Sequence, residues 1–386
     1  MTAFVESCAK TVTGSAEAVV RRSRGKPKAR QLLRLLADKK KILITTHDHP
    51  DPDALASCLA LCTLLTSRLP GASINVSFKG GSGGGLNEAF GKLTDLQPLP
   101  WDESALPGYD TIILLDTQPT FANNPLPAEI VPAVVIDHHR GGRRPPKCGF
   151  CDIRPEVGAV SSMVFSYFME LEEKISPDLG ATLLFAIESD LAGAAGQPGE
   201  LDNIALSNLT LIADTRKLYK MRYLDLPQNF FISYAQGLSN AVYYDHAVIS
   251  HLDTVPSPER PAVIADFLLR FDQAKWALVT GVLGSTLMMS LRTYPGGKMS
   301  AAELMRRLVR GLGEGGGHRS KAGGGIKLKE GTPAEIDRLR GIIRRRYLRN
   351  LGIKGARAQK LITKTDASAK PTSLPATPPV VSSQQS

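Results

Sequence analysis

Short, continuously apolar runs alternate with longer stretches of helical apolar spacing through the first half of the chain. Residues 41–47 (KILITTH) read as a buried strand ending in polar residues; 73–78 (SINVSF), 111–116 (TIILLD) and 133–137 (AVVID) read as three more. Residues 53–67, 158–173, 177–188 and 201–220 carry apolar positions three and four apart, the spacing of helices packed through one face. Strands alternating with helices predict a parallel α/β sheet. Over 216–242 the alternation stops and a connector is expected. A second, smaller α/β unit begins near Tyr243, with strands at 246–252, 275–283 and 286–292 and helices at 258–270, 300–312 and 333–349. From about Gly355 the chain is rich in Pro, Ser and Thr and poor in large apolar residues, which predicts disorder. The expected organisation is a basic segment 1–29, an α/β domain 30–215, a connector 216–242, a second domain 243–350 and a tail 351–386.

Composition adds where the charge lies. The 386 residues hold 42% apolar residues, enough for two cores, and the net charge is +10. Residues 338–370 carry eleven Lys/Arg against one acid, and residues 1–41 eleven against three. The body, 42–337, is therefore −8, and an acidic body between basic ends invites cation binding. No run approaches the roughly 20 apolar residues of a membrane span, and no signal peptide opens the chain, so a cytoplasmic protein with no membrane partner is expected. The cysteine number, five, is odd. Cys148-x-x-Cys151 resembles half a zinc site, but Cys58 and Cys62 have the spacing of a buried helix face, so thiols rather than disulfides or zinc are expected.

Three of the apolar strands end in His or Asp: His47, Asp116 and Asp137. Open α/β sheets bind ligands at the carboxyl ends of their strands. The first polar cluster is His47-Asp-His-Pro-Asp51-Pro-Asp53, at a strand-to-helix turn. One acid suffices to cap a helix; three acids and two histidines in seven residues suit a divalent ion, Mn or Mg before others because carboxylates outnumber imidazoles. Asp116 closes a second strand. Asp137-His138-His139 closes a third, and adjacent histidines there are expected to face apart, one toward metal and one toward substrate. Asp190 ends an apolar helical run. Gly315-Gly316-Gly317-His318, followed by Ala322–Gly325, would let backbone approach a phosphate closely. Arg292, on a strand, is placed to grip a terminal phosphate or carboxylate, or else to make a surface ion pair.

In this order the motifs resemble those of the DHH-family phosphoesterases, and Gly-Gly-Gly-His resembles the family's DHH-associated C-terminal domain. The two-domain length resembles the branch that degrades short oligoribonucleotides and dephosphorylates adenosine 3′,5′-bisphosphate. The resemblance implies a parallel-sheet catalytic domain, a smaller α/β substrate domain and an active site in the cleft between them. It implies two divalent ions, Mn²⁺ foremost with Mg²⁺ or Co²⁺ as alternatives. His47, Asp51 and Asp190 would hold one, Asp53 and His138 the other, with Asp116 bridging. His139 would meet the scissile phosphate, Asp137 would orient the histidines, and Arg292, Gly315, Gly316, Gly317 and His318 would hold the nucleotide. The implied partners are short RNA or a nucleotide bisphosphate, and a homodimer is an open expectation. Three positions depart from the family pattern: Ala56 for Gly, Glu188-Ser-Asp190-Leu for Thr-Asp-Thr, and Lys321 for a small residue. The competing readings are a polyphosphatase or pyrophosphatase, a linear or cyclic dinucleotide phosphodiesterase, a single-strand exonuclease, and a nucleic-acid-binding protein without catalysis.

Overall fold

A computed structural model describes residues 28–80, 85–141, 146–191, 198–294, 297, 299–317 and 319–363. After a helix α1 (Lys28–Leu36), the first domain builds a five-stranded, all-parallel sheet from β1 (Lys41–Thr46), β2 (Ser73–Val76), β3 (Thr111–Leu115), β4 (Val134–Asp137) and β5 (Phe150–Ile153). The strand order is β2-β1-β3-β4-β5, so the direction of winding reverses between β1 and β3. Such a reversal opens a crevice at the carboxyl ends of the strands. Helices α2 (Pro52–Arg68), α4 (Val160–Leu171), α5 (Pro177–Leu191) and α6 (Glu200–Ile212) cover one face, while α3 (Gly85–Leu93) follows β2. The period-2 alternation of β1 serves both faces: Ile42 and Ile44 enter the large helical core, and Leu43 enters a thinner layer with Leu106, Ile112, Leu114, Leu126 and Val135.

The stretch expected as one helix over 201–220 is two, α6 and α7 (Thr215–Arg222). The break is at Asp214, whose side chain accepts from Lys217 N–H and caps the second helix. The expected connector is also structured: α8 (Gln228–Ser239) leads into the second domain. That domain is a mixed seven-stranded sheet with order β10-β11-β9-β8-β7-β6-β12. Its strands are β6 (Val242–Tyr244), β7 (Ala247–Thr254), β8 (Trp276–Leu283), β9 (Thr286–Thr293), β10 (Glu314–Gly317), β11 (Lys321–Lys327) and β12 (Gln359–Lys360). Helix α9 (Arg260–Leu268) packs on one face; α10 (Ala301–Val309) and α11 (Pro333–Asn350) pack on the other. Part of the expected tail is ordered, because Gln359 and Lys360 pair with β6 and extend the sheet edge. The rest, beyond residue 363, lies outside the described residues, as does the basic segment through residue 27.

The glycine run is strand rather than loop. Gly315 pairs with Gly324 and Gly316 with Gly323. A Cβ on Gly315 would lie 2.7 Å from Met305 Cγ, and one on Gly324 would lie 2.8 Å from Met305 Sδ, so α10 rests directly on glycine backbone. Hydrogen bonds at two places join the domains. Glu259, just before α9, accepts from the Leu86 and Asn87 N–H groups at the start of α3, at 2.6 and 3.2 Å. Lys321 Nζ donates to the Asp190 carbonyl at 2.9 Å. Contrary to the expectation of free thiols, Cys148 and Cys151 are disulfide-linked; the turn into β5 brings both sulfurs against the Pro146 carbonyl. Cys58 and Cys62 are free. Among the described residues no helix is long and apolar enough to cross a membrane.

Candidate metal centre

The crevice at the β1/β3 reversal collects side chains from five elements. His47 follows β1, Asp51 and Asp53 open α2, Asp116 follows β3, His138 and His139 follow β4, and Asp190 lies in the last turn of α5. Asp116 adopts a left-handed backbone, φ 56°, a conformation that aspartate tolerates better than most residues.

Potential ligand atoms gather in overlapping triads, each set within 4.8 Å of one another: His47, Asp51 and Asp116; Asp53, His138 and Asp190; and Asp116, His138 and His139. Asp190 gathers with Asp53 and His138 in one of these triads, whereas the resemblance grouped it with His47 and Asp51. The C-terminal end of α5 brings its carboxylate to 3.7 Å from His138 Nε2. Nor do the two histidines face apart. Their rings cross at 76°, so His138 reaches Asp116 Oδ1 through Nε2 at 3.4 Å and His139 through Nδ1 at 3.6 Å.

The surrounding hydrogen bonds fix ring orientation. His47 Nδ1 lies 2.9 Å from the Asp48 carbonyl, and His138 Nδ1 lies 3.1 Å from the Val157 carbonyl. With those nitrogens donating, each Nε2 would offer its lone pair to a metal in the crevice. Asp137, fully buried, accepts from His139 Nδ1 at 2.7 Å and from the His138 backbone N–H at 2.9 Å. Gln118, which the motif reading missed, donates to Asp137 at 2.7 Å and to the His139 carbonyl at 3.0 Å. Its one sequence signal is its place two residues after Asp116.

The helix-capping and ligand readings of the first motif coexist. Asp51 caps its own helix by accepting from Ala54 N–H at 3.1 Å. Asp53 caps a different one: its two oxygens accept from the Val160 and Ser161 N–H groups of α4 at 2.7 and 2.9 Å. The N-cap residue of α4 itself, Ala159, has no side-chain oxygen to offer.

Electrostatics favour a cation. Burial, then the Asp53 and Asp51 charges, hold the Asp116 carboxyl well above the usual carboxylate range. Burial and then Asp190 push Asp53 up to about 7, and burial also raises Asp190. Burial lowers the affinity of His138 for a proton, but Asp116, Asp190 and Asp53 outweigh it and lift this imidazole to about 9. Asp116 Oδ1 is buried and has no hydrogen-bond partner among the described residues. A divalent ion would satisfy that oxygen and relieve the clustered negative charge, so the donor set fits one.

The other expected positions are more mixed. Arg292 donates to Asp266 at 2.6 Å and to Ser290 at 2.7 Å, which is the ion-pair alternative. It pairs directly across the sheet from Lys321, whose Nζ lies 3.8 Å from Asp190 Oδ1. Gly315, Gly316 and Gly317 form β10, and His318 lies outside the described residues.

Residues 41–187 match the DHH family, N-terminal domain. The matched span holds every residue of the cluster except Asp190, three residues beyond it. The matched span thus carries a candidate divalent-metal site at the crevice of its parallel sheet. An uncharacterised protein of Methanocaldococcus jannaschii is 28% identical over 307 residues, covering 79% of this chain. The chain spans 62% of the length of that relative. The fold resembles the crystal structure of an exopolyphosphatase-related protein from Bacteroides fragilis, with TM-score 0.66, 18% identity, and coverage of 84% of this chain and 97% of that one. RecJ from Thermus thermophilus, in complex with Mn²⁺, aligns at TM-score 0.42 and 14% identity over 86% of this chain and 55% of its own.

The metal-free protein should lose stability as pH rises. A group whose pKa is raised by folding contributes stability below its unfolded pKa, and that contribution is lost as pH rises through the folded value. For His138 the window runs from its ordinary 6.5 to about 9, and the loss is on the order of 3 kcal/mol. Melts in EDTA should therefore show Tm falling from pH 6.5 to 9, and saturating Mn²⁺ or Mg²⁺ should flatten the fall. A Tm that rises with pH in EDTA would contradict this charge balance.

Proposed function

We propose that the protein is a divalent-metal-dependent phosphoesterase that hydrolyses short oligoribonucleotides to mononucleotides, or removes the 3′-phosphate of adenosine 3′,5′-bisphosphate, with Mn²⁺ as its first metal. The observation that carries this reading is the place of Asp116 between the His47/Asp51 and the His138/His139 sets, with its buried Oδ1 left without a hydrogen bond among the described residues. Two ions bound there would supply charge stabilisation and an activated water for in-line displacement at phosphorus. His47, Asp51 and Asp116 would hold one ion; Asp53, His138 and Asp190, with Asp116, would hold the other.

The remaining roles belong to the chain. His139, held by Asp137 and about one-quarter exposed, is placed to donate to a non-bridging oxygen of the scissile phosphate. Gln118 keeps Asp137 and the backbone after the histidines in register as charge develops. The glycine strands give a surface without side chains on which a nucleotide can lie, with Lys321 and Arg292 at its edge. Closure of the second domain, which carries that surface, over the crevice of the first would exclude water from the reacting centre.

The test is release of mononucleotides from end-labelled di- to pentaribonucleotides with Mn²⁺ and with EDTA, alongside adenosine 3′,5′-bisphosphate and inorganic tripolyphosphate. Metal-dependent cleavage of a nucleotide substrate is expected. Cleavage of tripolyphosphate alone, or of nothing under Mn²⁺, Mg²⁺ and Co²⁺, would overturn the reading.

A further inference from the structure

The outer face of α7 has a pattern that neither the fold nor the acid cluster uses. Leu218 and Met221 are its buried residues. At 100° per residue, Arg216, Tyr219, Lys220 and Tyr223, the C-cap residue whose N–H donates to the Tyr219 carbonyl, all fall within an arc of about 100° on the opposite side. All four are exposed, the two tyrosines by 63% and 66%. Their rings lie 4.6 Å apart at 32°. The two other cations of the helix are committed, Lys217 to Asp95 and Asp178 and Arg222 to Glu188. Arg216 and Lys220 have no ion pair among the described residues, and residues 215–223 contain four cations and no acid. Tyrosines are on average partly buried, and a buried one usually has its hydroxyl on a partner. Here two adjacent rings stand in water between two free cations.

We propose that this stripe binds single-stranded nucleic acid, with bases stacked on Tyr219 and Tyr223 and backbone phosphates against Arg216 and Lys220; the choice of a polynucleotide rests on the phosphoesterase reading above. Rings offer every base a stacking face, and cations follow the phosphates, so the combination holds a strand without reading its sequence. The position suits a substrate longer than the catalytic crevice can hold. Arg222 fastens α7 to Glu188, two residues before Asp190 on α5, so the stripe is tied to the helix that ends in the acid cluster. A second copy of the chain fits the face less well, because a self-complementary contact would set the same four cations against themselves.

The test measures binding without turnover: fluorescence anisotropy of a labelled oligoadenylate of about twelve residues on the full chain in EDTA. Y219A/Y223A should weaken Kd at least about tenfold, while Y219F/Y223F, which keeps the stacking faces, should stay within about twofold of the parent. Oligodeoxyadenylate should show the same loss, since neither contact involves the 2′-hydroxyl. R216Q/K220Q should make the salt dependence of log Kd shallower by about 1.4, two phosphate contacts' worth. Circular-dichroism melts of all three variants should match the parent, because the side chains are exposed. Dinucleotide turnover should be unchanged in each. Parental affinity in folded Y219A/Y223A would overturn the proposal, as would a parent that sediments as a dimer and dissociates with that substitution. A protein that hydrolyses no dinucleotide yet loses oligoadenylate affinity with the tyrosines would refute the phosphoesterase reading and leave the stripe standing.

Discussion

Asp116→Asn should lower metal-dependent turnover at least about a thousandfold, some 4 kcal/mol of barrier, while leaving the fold intact. Asp116 faces His47 and Asp51 on one side and His138 on the other, so losing its charge weakens both proposed sites and the spacing between them. Asparagine also tolerates the left-handed backbone at this position, φ 56°, which separates the loss of charge from backbone strain. The metal-free variant should melt no lower than the parent. Burial and the Asp53 and Asp51 charges already oppose ionisation of this carboxyl, and the neutral amide removes that repulsion. Turnover, metal content and Tm measured together check the prediction; turnover within about tenfold of the parent would speak against a shared bridging carboxylate.

Asp53→Ala should fail in both respects. Its oxygens supply the N-terminal cap of α4, and Val160 and Ser161, whose N–H groups they accept from, are fully buried. Removing the carboxylate strands two buried donors, a loss of about 2–4 kcal/mol. The measurement is denaturant unfolding in EDTA at pH 6, below the value of about 7 to which Asp53 is raised. There the carboxyl is mostly protonated in the parent, so little repulsion is relieved by its removal. Turnover should fall as far as in Asp116→Asn. An Asp53→Ala protein as stable as the parent would mean that α4 does not depend on this distant cap. The contrast between the two variants separates a carboxylate that acts only on metal from one that also builds the fold.

The chain's own pattern carried the first domain a long way. Continuous apolar runs at 41–47, 111–116 and 133–137 are β1, β3 and β4, and the polar residues that end them are those in the crevice. A strand buried on both faces must be apolar throughout, and its chemistry can only begin where burial stops. That is why His47, Asp116 and Asp137 stand out in the sequence. Periodicity likewise marked α2, α4, α5, α9, α10 and α11, whose apolar stripes meet a sheet.

What pattern did not carry has a common cause. β10 and β11 are mostly glycine, which has low strand preference. They are strands because α10 lies against their backbone, a contact between residues distant in sequence. β12 exists because β6 offers it an edge. The pairing of Asp190 with Asp53 and His138 depends on where α5 ends relative to α2 and β4, and the tie from Gln118 to Asp137 depends on the loop after β3 folding back over β4. Local sequence determined which residues could be ligands and on which strand ends they stand, because burial and backbone preference act over a few residues. Only the tertiary structure decided which ligands face one another, which acid also caps a distant helix, and which tyrosines stay in water, because each is a distance between segments whose separation along the chain says nothing about their separation in space.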